Sequence, residues 1–118
     1  MNKVFLIDDD KDILALMKIY FEAKGFDVRS SSTCSEAYTI LLTFLPDIIF
    51  LDIDVGGEDG RLFCKKIKAT ASLLHIPVYF ISANSNEKDH YARYGAAGFI
   101  LKPFSMDEVL YISTIPNS

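Results

Sequence analysis

DIIFLDIDVGG, residues 47–57, begins with an unbroken apolar run from Ile48 to Leu51 and then delivers two carboxylates and two glycines. A strand with one wet face alternates apolar and polar residues. A strand covered on both faces does not, and such strands belong to parallel sheets lying between layers of helix. The run therefore reads as a central strand. It ends on Asp52, and a carboxylate closing a buried strand is costly unless a cation or strong donors meet it. Gly56 and Gly57 follow, where the backbone can come close to another group.

On either side, short apolar runs alternate with longer helical patterns. KVFLI (3–7) is rich in β formers. DKDILALMKIYFEAKG (10–25) places Ile13, Leu14, Met17, Tyr20 and Phe21 at helical spacing, with Gly25 as a stop. FDVRS (26–30) is a short, half-polar strand, and TCSEAYTILLTF (33–44) is a helix with capping-box spacing from Thr33 to Glu36, ended by Pro46. EDGRLFCKKIKA (58–69) predicts a third helix, PVYFIS (77–82) a fourth strand, NEKDHYARYG (86–95) a short polar fourth helix and GFIL (98–101) a fifth strand. SMDEVLYIST (105–114) closes the pattern as a fifth helix, capped from Ser105 to Glu108 and stopping before Pro116. Five βα units predict one α/β domain over residues 1–118, a parallel sheet with helices on both faces.

Composition narrows the function. A chain of 118 residues suits one domain with one core. Its net charge of -4 argues against direct contact with nucleic acid, which favours a basic face. No apolar run reaches membrane-spanning length, and MNKVFLIDDD at the N-terminus lacks the form of a signal peptide, so a cytoplasmic location is expected. Cys34 and Cys64 have no metal-type spacing and read as free thiols. His75 and His90 read as surface histidines, and Tyr91 and Tyr94, one helical turn apart, as packing residues.

In an open parallel sheet, ligands bind beyond the carboxyl ends of the strands. Four predicted strands deliver polar groups to that one edge: Asp8, Asp9 and Asp10 after the first, Asp52 after the third, Ser82 after the fourth and Lys102 after the fifth. Several carboxylates at one edge repel one another unless a cation joins them, and oxygen ligands with water suit Mg²⁺. A metal, a lysine and a hydroxyl together make a receptacle for a phosphoryl group. Asp52 is then placed as a nucleophile that forms an aspartyl phosphate. Asp10 and Asp12 read instead as acids at a helix N-terminus. A calcium-loop reading fails because Ile13 and Ile19 stand where that loop needs glycine and glutamate.

The set LIDDD, PDIIFLDID…DG, ISA and GAAGFILKPF, in this order and spacing, resembles the receiver domain of two-component response regulators over essentially the whole chain. The resemblance implies a doubly wound, flavodoxin-like sheet of five strands in the order 2-1-3-4-5. It implies that Asp52 is the phosphoacceptor. Asp9 would be a direct Mg²⁺ (or Mn²⁺) ligand, Asp8 a ligand mostly through water, and the backbone carbonyl of Asp54 the third protein ligand. Lys102 would grip the phosphoryl oxygens, Ser82 would be the switch hydroxyl and Phe99 the rotating aromatic, with a cis Lys102–Pro103 bond. The implied donor is a sensor histidine kinase or a phosphotransfer protein. The implied output is a changed surface of the fourth helix, fifth strand and fifth helix, read by a downstream protein the sequence does not name, or used for a phosphorylation-dependent homodimer. Gly56 stands where the family usually has proline, and Glu58 where it often has methionine, so VGGEDG is expected to be a flexible, acidic loop.

Two other functions compete. FLDIDVGG also resembles the signature of haloacid-dehalogenase-type phosphatases, with Asp52 as nucleophile and Asp54 as general acid. Against this, the acidic pair precedes the motif and none follows Lys102. A phosphorylation-independent binding module of the same fold is the other reading, and the full set of acids, Ser82 and Lys102 argues against it. Taken by itself, the chain reads as a single-domain, chemotaxis-regulator-like protein that is not an enzyme beyond phosphorylating and slowly dephosphorylating its own aspartate. A receiver segment of a larger regulator or hybrid kinase is the alternative.

Overall fold

A computed structural model describes residues 2–115. The apolar run of the third unit forms β3 (Ile48–Asp52), buried at every position. Around it lie β1 (Lys3–Ile7), α1 (Lys11–Ala23), β2 (Asp27–Ser31), α2 (Cys34–Phe44), the two-residue strands β4 (Asp54–Val55) and β5 (Glu58–Asp59), α3 (Gly60–Lys68), β6 (Val78–Ser82), β7 (Gly98–Leu101) and α4 (Met106–Thr114). The main sheet is parallel with order β2-β1-β3-β6-β7, the predicted order once β4 and β5 are set aside.

The lack of polar alternation in β1 and β3 now has its cause. Successive side chains point to opposite faces of a sheet, and both faces are covered. Phe5, Ile7, Ile49 and Leu51 pack with Ala37, Leu41 and Phe44 of α2 and Phe63, Cys64 and Ile67 of α3. Val4, Leu6, Ile48 and Phe50 pack with Leu14, Met17 and Phe21 of α1 and Val109 of α4. Asp10, Thr33 and Ser105 cap α1, α2 and α4 by accepting backbone N–H bonds, which fixes where those helices start. Both cysteines are free and buried, and burial pushes each thiol up to about 11, which disfavours the thiolate. Among the described residues, no helix is long and apolar enough to cross a membrane.

The structure corrects several expectations. Tyr20 is exposed: α1 presents a narrower face to the sheet than its spacing suggested. VGGEDG is not a loose loop. Gly56 and Gly57 have φ of 58 and 87°, the double positive φ of a tight hairpin turn, and they join β4 to β5 with Val55 paired to Glu58. The third helix accordingly starts at Gly60, after Asp59 as cap. Residues 86–95 do not form an α-helix. Two 3₁₀ turns, Ser85–Glu87 and Tyr91–Tyr94, stand there instead. Asn, Asp and His are weak helix formers, and so short a polar segment has no wide apolar face to drive helix packing. His90 is half-buried, and its Nδ1 is enclosed without a hydrogen-bond partner, so it is not a surface histidine. Tyr91 and Tyr94 do pack on the core. Pro116 lies outside the described residues.

Gly60 holds α3 against the end of β3. Its N–H donates to the Ile53 carbonyl at 2.6 Å. A Cβ there would sit inside the van der Waals shell of the Asp52 carbonyl oxygen and 3.0 Å from Ile53 Cα. Gly60→Ala is therefore expected to destabilise the fold by about 1–3 kcal/mol, the range for overpacking. Urea unfolding of the two proteins measures this, and equal midpoints would refute the close approach.

Candidate functional site

The C-terminal edge of the sheet carries the charged cluster. β1 and β3 are neighbours with Ile7 paired to Leu51, so the next residues, Asp8 and Asp52, come side by side. Both are buried, at 4% and 7% exposure, while Asp9 is exposed. One carboxylate oxygen from each of Asp8, Asp9 and Asp52 lies within 4.8 Å of the others. Lys102, following β7, reaches across: its Nζ donates to Asp52 Oδ2 at 2.9 Å and to Asp8 Oδ2 at 3.2 Å. The Lys102–Pro103 bond is cis.

The other oxygen of each buried acid also has a partner. Asp8 Oδ1 accepts the Asp10 N–H at 2.9 Å, and Asp52 Oδ1 accepts the Asp54 N–H at 3.0 Å. Burial nevertheless pushes Asp8 up to about 6, with Asp52 adding to the rise, against the lowering from the Asp10 N–H and Lys102. Burial alone would pull the Lys102 ammonium down, but its hydrogen bonds and ion pairs with Asp52 and Asp8 hold it above its usual value. The donor set is all oxygen, partly buried and open at Asp9. That is the chemistry a hard divalent cation requires, with room for water.

The other predicted residues fall as follows. Ser82 ends β6 one residue after Ile81, the partner of Asp52 in the ladder, and its Oγ accepts the Asn84 N–H at 3.0 Å. It thus caps the following turn, and as a hydroxyl it still has a proton to donate. Phe99 is half-buried against the core formed with α2 and α3. The Asp54 carboxylate is exposed and accepts the Gly57 N–H at 3.2 Å, holding the hairpin turn. Beside Lys102, an apolar groove of about 420 Å³ is lined by Ile13, Leu16, Met17, Pro103 and Phe104, among others.

Sequence reasoning gave no partner to Glu58 and passed over Arg61, two charged residues near the site. Glu58 Oε1 accepts the Cys34 N–H at 3.0 Å, tying the hairpin to the start of α2. Arg61 grips Asp59 and Glu87. Neither partner is close in sequence except Asp59, so the only available signal was a charge run, which reads as a solvated helix start.

The family model for the response regulator receiver domain matches residues 4–113. The transcriptional regulatory protein YxdJ of Bacillus subtilis is 33% identical over 112 residues, 93% of this chain and 48% of YxdJ. The nisin biosynthesis regulatory protein NisR of Lactococcus lactis is 33% identical over 110 residues, 92% of this chain and 47% of NisR. The chain spans about half the length of these curated relatives. Among solved structures, the receiver domain of the Francisella response regulator 1452 is similar with a TM-score of 0.86 at 29% identity, covering 96% of this chain and 93% of that one. The phosphatase reading gains no support from these matches.

The raised Asp8 carboxyl has a consequence for stability. An acid whose folded-state value lies above its unfolded value of 3.8 binds its proton more tightly in the folded chain. The associated stability is fully present below 3.8 and is lost as pH rises through about 6. In metal-free buffer, Asp8→Asn removes that loss while keeping an oxygen for the Asp10 N–H. The variant is expected to gain on the wild type through this window, reaching about 1–3 kcal/mol above pH 7. Denaturant unfolding across pH tests it; a difference independent of pH would refute it.

Proposed function

This chain belongs to the response regulator receiver domain family, and from that premise we propose that it is a phospho-accepting switch. Asp52 takes a phosphoryl group from a histidine kinase or a phosphotransfer protein. The observation that carries this reading is the convergence of Asp8, Asp9, Asp52 and Lys102 on one edge, with the Lys102 ammonium 2.9 Å from the Asp52 carboxylate.

In this reading, Asp52 attacks phosphorus through one carboxylate oxygen. The P–N bond of the donor's phosphohistidine breaks as the new P–O bond forms, and the imidazole leaves with its electron pair. The Asp54 N–H, bonded to Oδ1, orients the carboxylate. Asp8, Asp9, Asp52 and the Asp54 backbone carbonyl are the groups that would hold Mg²⁺ (or Mn²⁺). The ion offsets the negative charge of the phosphoryl oxygens when bound. Lys102 exchanges its bond to the Asp52 carboxylate for one to a phosphoryl oxygen. Ser82 donates its free proton to another oxygen while keeping the Asn84 N–H. Phe99 fills the space that opens as the Ser82 loop draws in. Water later hydrolyses the acyl phosphate.

The output surface is then the 3₁₀ segment 85–95 with β7 and α4, rather than a surface built on a fourth α-helix. It would be read by a downstream protein or by a second copy of the chain, with no direct contact to nucleic acid, in the cytoplasm. Beyond forming and hydrolysing its own aspartyl phosphate, the chain turns over no substrate. The transcriptional function in the name of YxdJ belongs to a protein about twice this length.

Incubation with acetyl phosphate and Mg²⁺, followed by intact-protein mass spectrometry, tests the proposal. The wild type is expected to gain one phosphoryl group, and Asp52→Asn or addition of chelator is expected to abolish the gain. Lys102→Met is expected to slow it by about 10²-fold, the scale for removing one group that stabilises transition-state charge. No gain in the wild type would leave a binding module that is never phosphorylated. Repeated release of phosphate from phosphomonoesters would instead indicate a phosphatase.

A further inference from the structure

Residues 83–95 lead from Ser82 towards β7 and carry the two 3₁₀ turns. The backbone hydrogen bonds inside this segment are short-range: Lys88 to Ser85, His90 to Glu87, Arg93 to His90 and Gly95 to Ala92. Such bonds do not tie a segment to the rest of a fold. Side chains do: Tyr91 and Tyr94 pack on the core, and α3 adds polar ties. Arg61 Nη1 donates to Glu87 Oε1 at 3.0 Å. Its guanidinium carbon lies 5.6 Å from the Tyr94 ring centroid, and Lys65 Nζ lies 5.4 Å from the same ring. Gly95 sits so close to Lys68 that a Cβ would come within 2.8 Å of Lys68 Cγ.

Arg61 is itself held. Asp59, the cap of α3, accepts Arg61 Nε at 2.9 Å on one oxygen and Arg61 Nη2 at 3.0 Å on the other. The same Oδ1 accepts the Arg61 backbone N–H at 2.9 Å. A planar guanidinium fixed by a two-oxygen fork loses less freedom on making its next bond than a lysine would. Asp59 ends β5 in the hairpin that starts two residues after Asp52. One side chain thus joins the phosphoacceptor hairpin to both 3₁₀ turns of the segment after Ser82. The Arg61 and Glu87 side chains are 31% and 20% exposed, and the geometry is that of a network rather than a single surface pair.

We propose that Arg61 is a positioning residue, a clasp that holds segment 85–95 against α3 in the resting arrangement and so opposes the switch. This rests on the phospho-switch reading above. The clasp coexists with an Asp52 carboxylate paired directly to Lys102, the arrangement we assign to the resting state. In this reading, drawing the Ser82 loop toward a phosphoryl group pulls on Glu87 and Tyr94, the residues that Arg61 ties. Loosening their tie to Arg61 lowers the cost of that movement. A ligand that prefers the switched arrangement then binds more tightly, because less of its binding energy is spent on the change.

The test uses fluoroberyllate, a phosphoryl mimic, with Mg²⁺, on the whole chain. The variants are Arg61→Met, which keeps an unbranched apolar stem, and Glu87→Ala, which sits on a partly exposed turn and removes one arm alone. Both are expected to bind fluoroberyllate about threefold to fivefold more tightly than the wild type, and Arg61→Lys is expected not to restore wild-type affinity. Amide exchange is expected to quicken by a similar factor at Lys88, His90, Arg93 and Gly95, and to stay unchanged in β3. Unchanged or weaker affinity in both variants, with the wild type binding normally, would overturn the clasp and leave the phospho-switch standing. Failure of the wild type to bind fluoroberyllate would overturn both.

Discussion

Two buried carboxylates held by one ammonium are the constraint on which this molecule turns. Asp8 and Asp52 are adjacent because β1 and β3 are hydrogen-bonded neighbours in register, and Lys102 reaches both from the far side of β6. Neither acid would be stable as a charge in place alone. An unpaired buried charge costs several kcal/mol, on the order of the whole stability of a small domain. The core on both faces of the sheet therefore has a second task beyond closing the fold. It holds two repelling acids close together with one ammonium bonded to both, the preorganised arrangement that the proposed phosphoryl transfer needs.

The surroundings of Asp52 divide into a rigid side and a movable side. The rigid side is the β4–β5 hairpin. Gly56 and Gly57 supply its turn, Asp54 braces it through the Gly57 N–H, Glu58 ties it to α2 and Gly60 seats α3 against the Asp52 backbone. The movable side, in the proposed switch, is the segment after Ser82, with 3₁₀ turns, local backbone bonds, Tyr91 and Tyr94 packed on the core and Glu87 tied to Arg61. A switch needs this asymmetry, because a group that moves is useful only beside one that does not. Segments of low local stability are where such movement is found.

Much of this was legible in the chain alone. The continuous apolar runs of β1 and β3 have one physical explanation, a strand covered on both faces, and that settled the parallel sheet and its helical layers. Residues just past strand ends in such a sheet must face one edge, so Asp8, Asp9, Asp52, Ser82 and Lys102 could be grouped before any geometry was known. The caps at Thr33 and Ser105 are local, and local rules found them.

What the sequence by itself determined, then, was whatever depends on period and on neighbours along the chain: strand against helix, inside against outside, and which polar groups share an edge. Only the tertiary structure decided the rest. The paired glycines could serve a loose loop or a tight turn, and the pairing of Val55 with Glu58 selected the turn. Residues 86–95 had a helical spacing too short and too polar to enforce a helix, and packing against α3 left two 3₁₀ turns. The partners of Arg61 and Glu58 lie 26 and 24 residues away. A charged side chain on a surface can reach many such groups. Which one it meets depends on where the whole fold brings them, and no local pattern of residues encodes that.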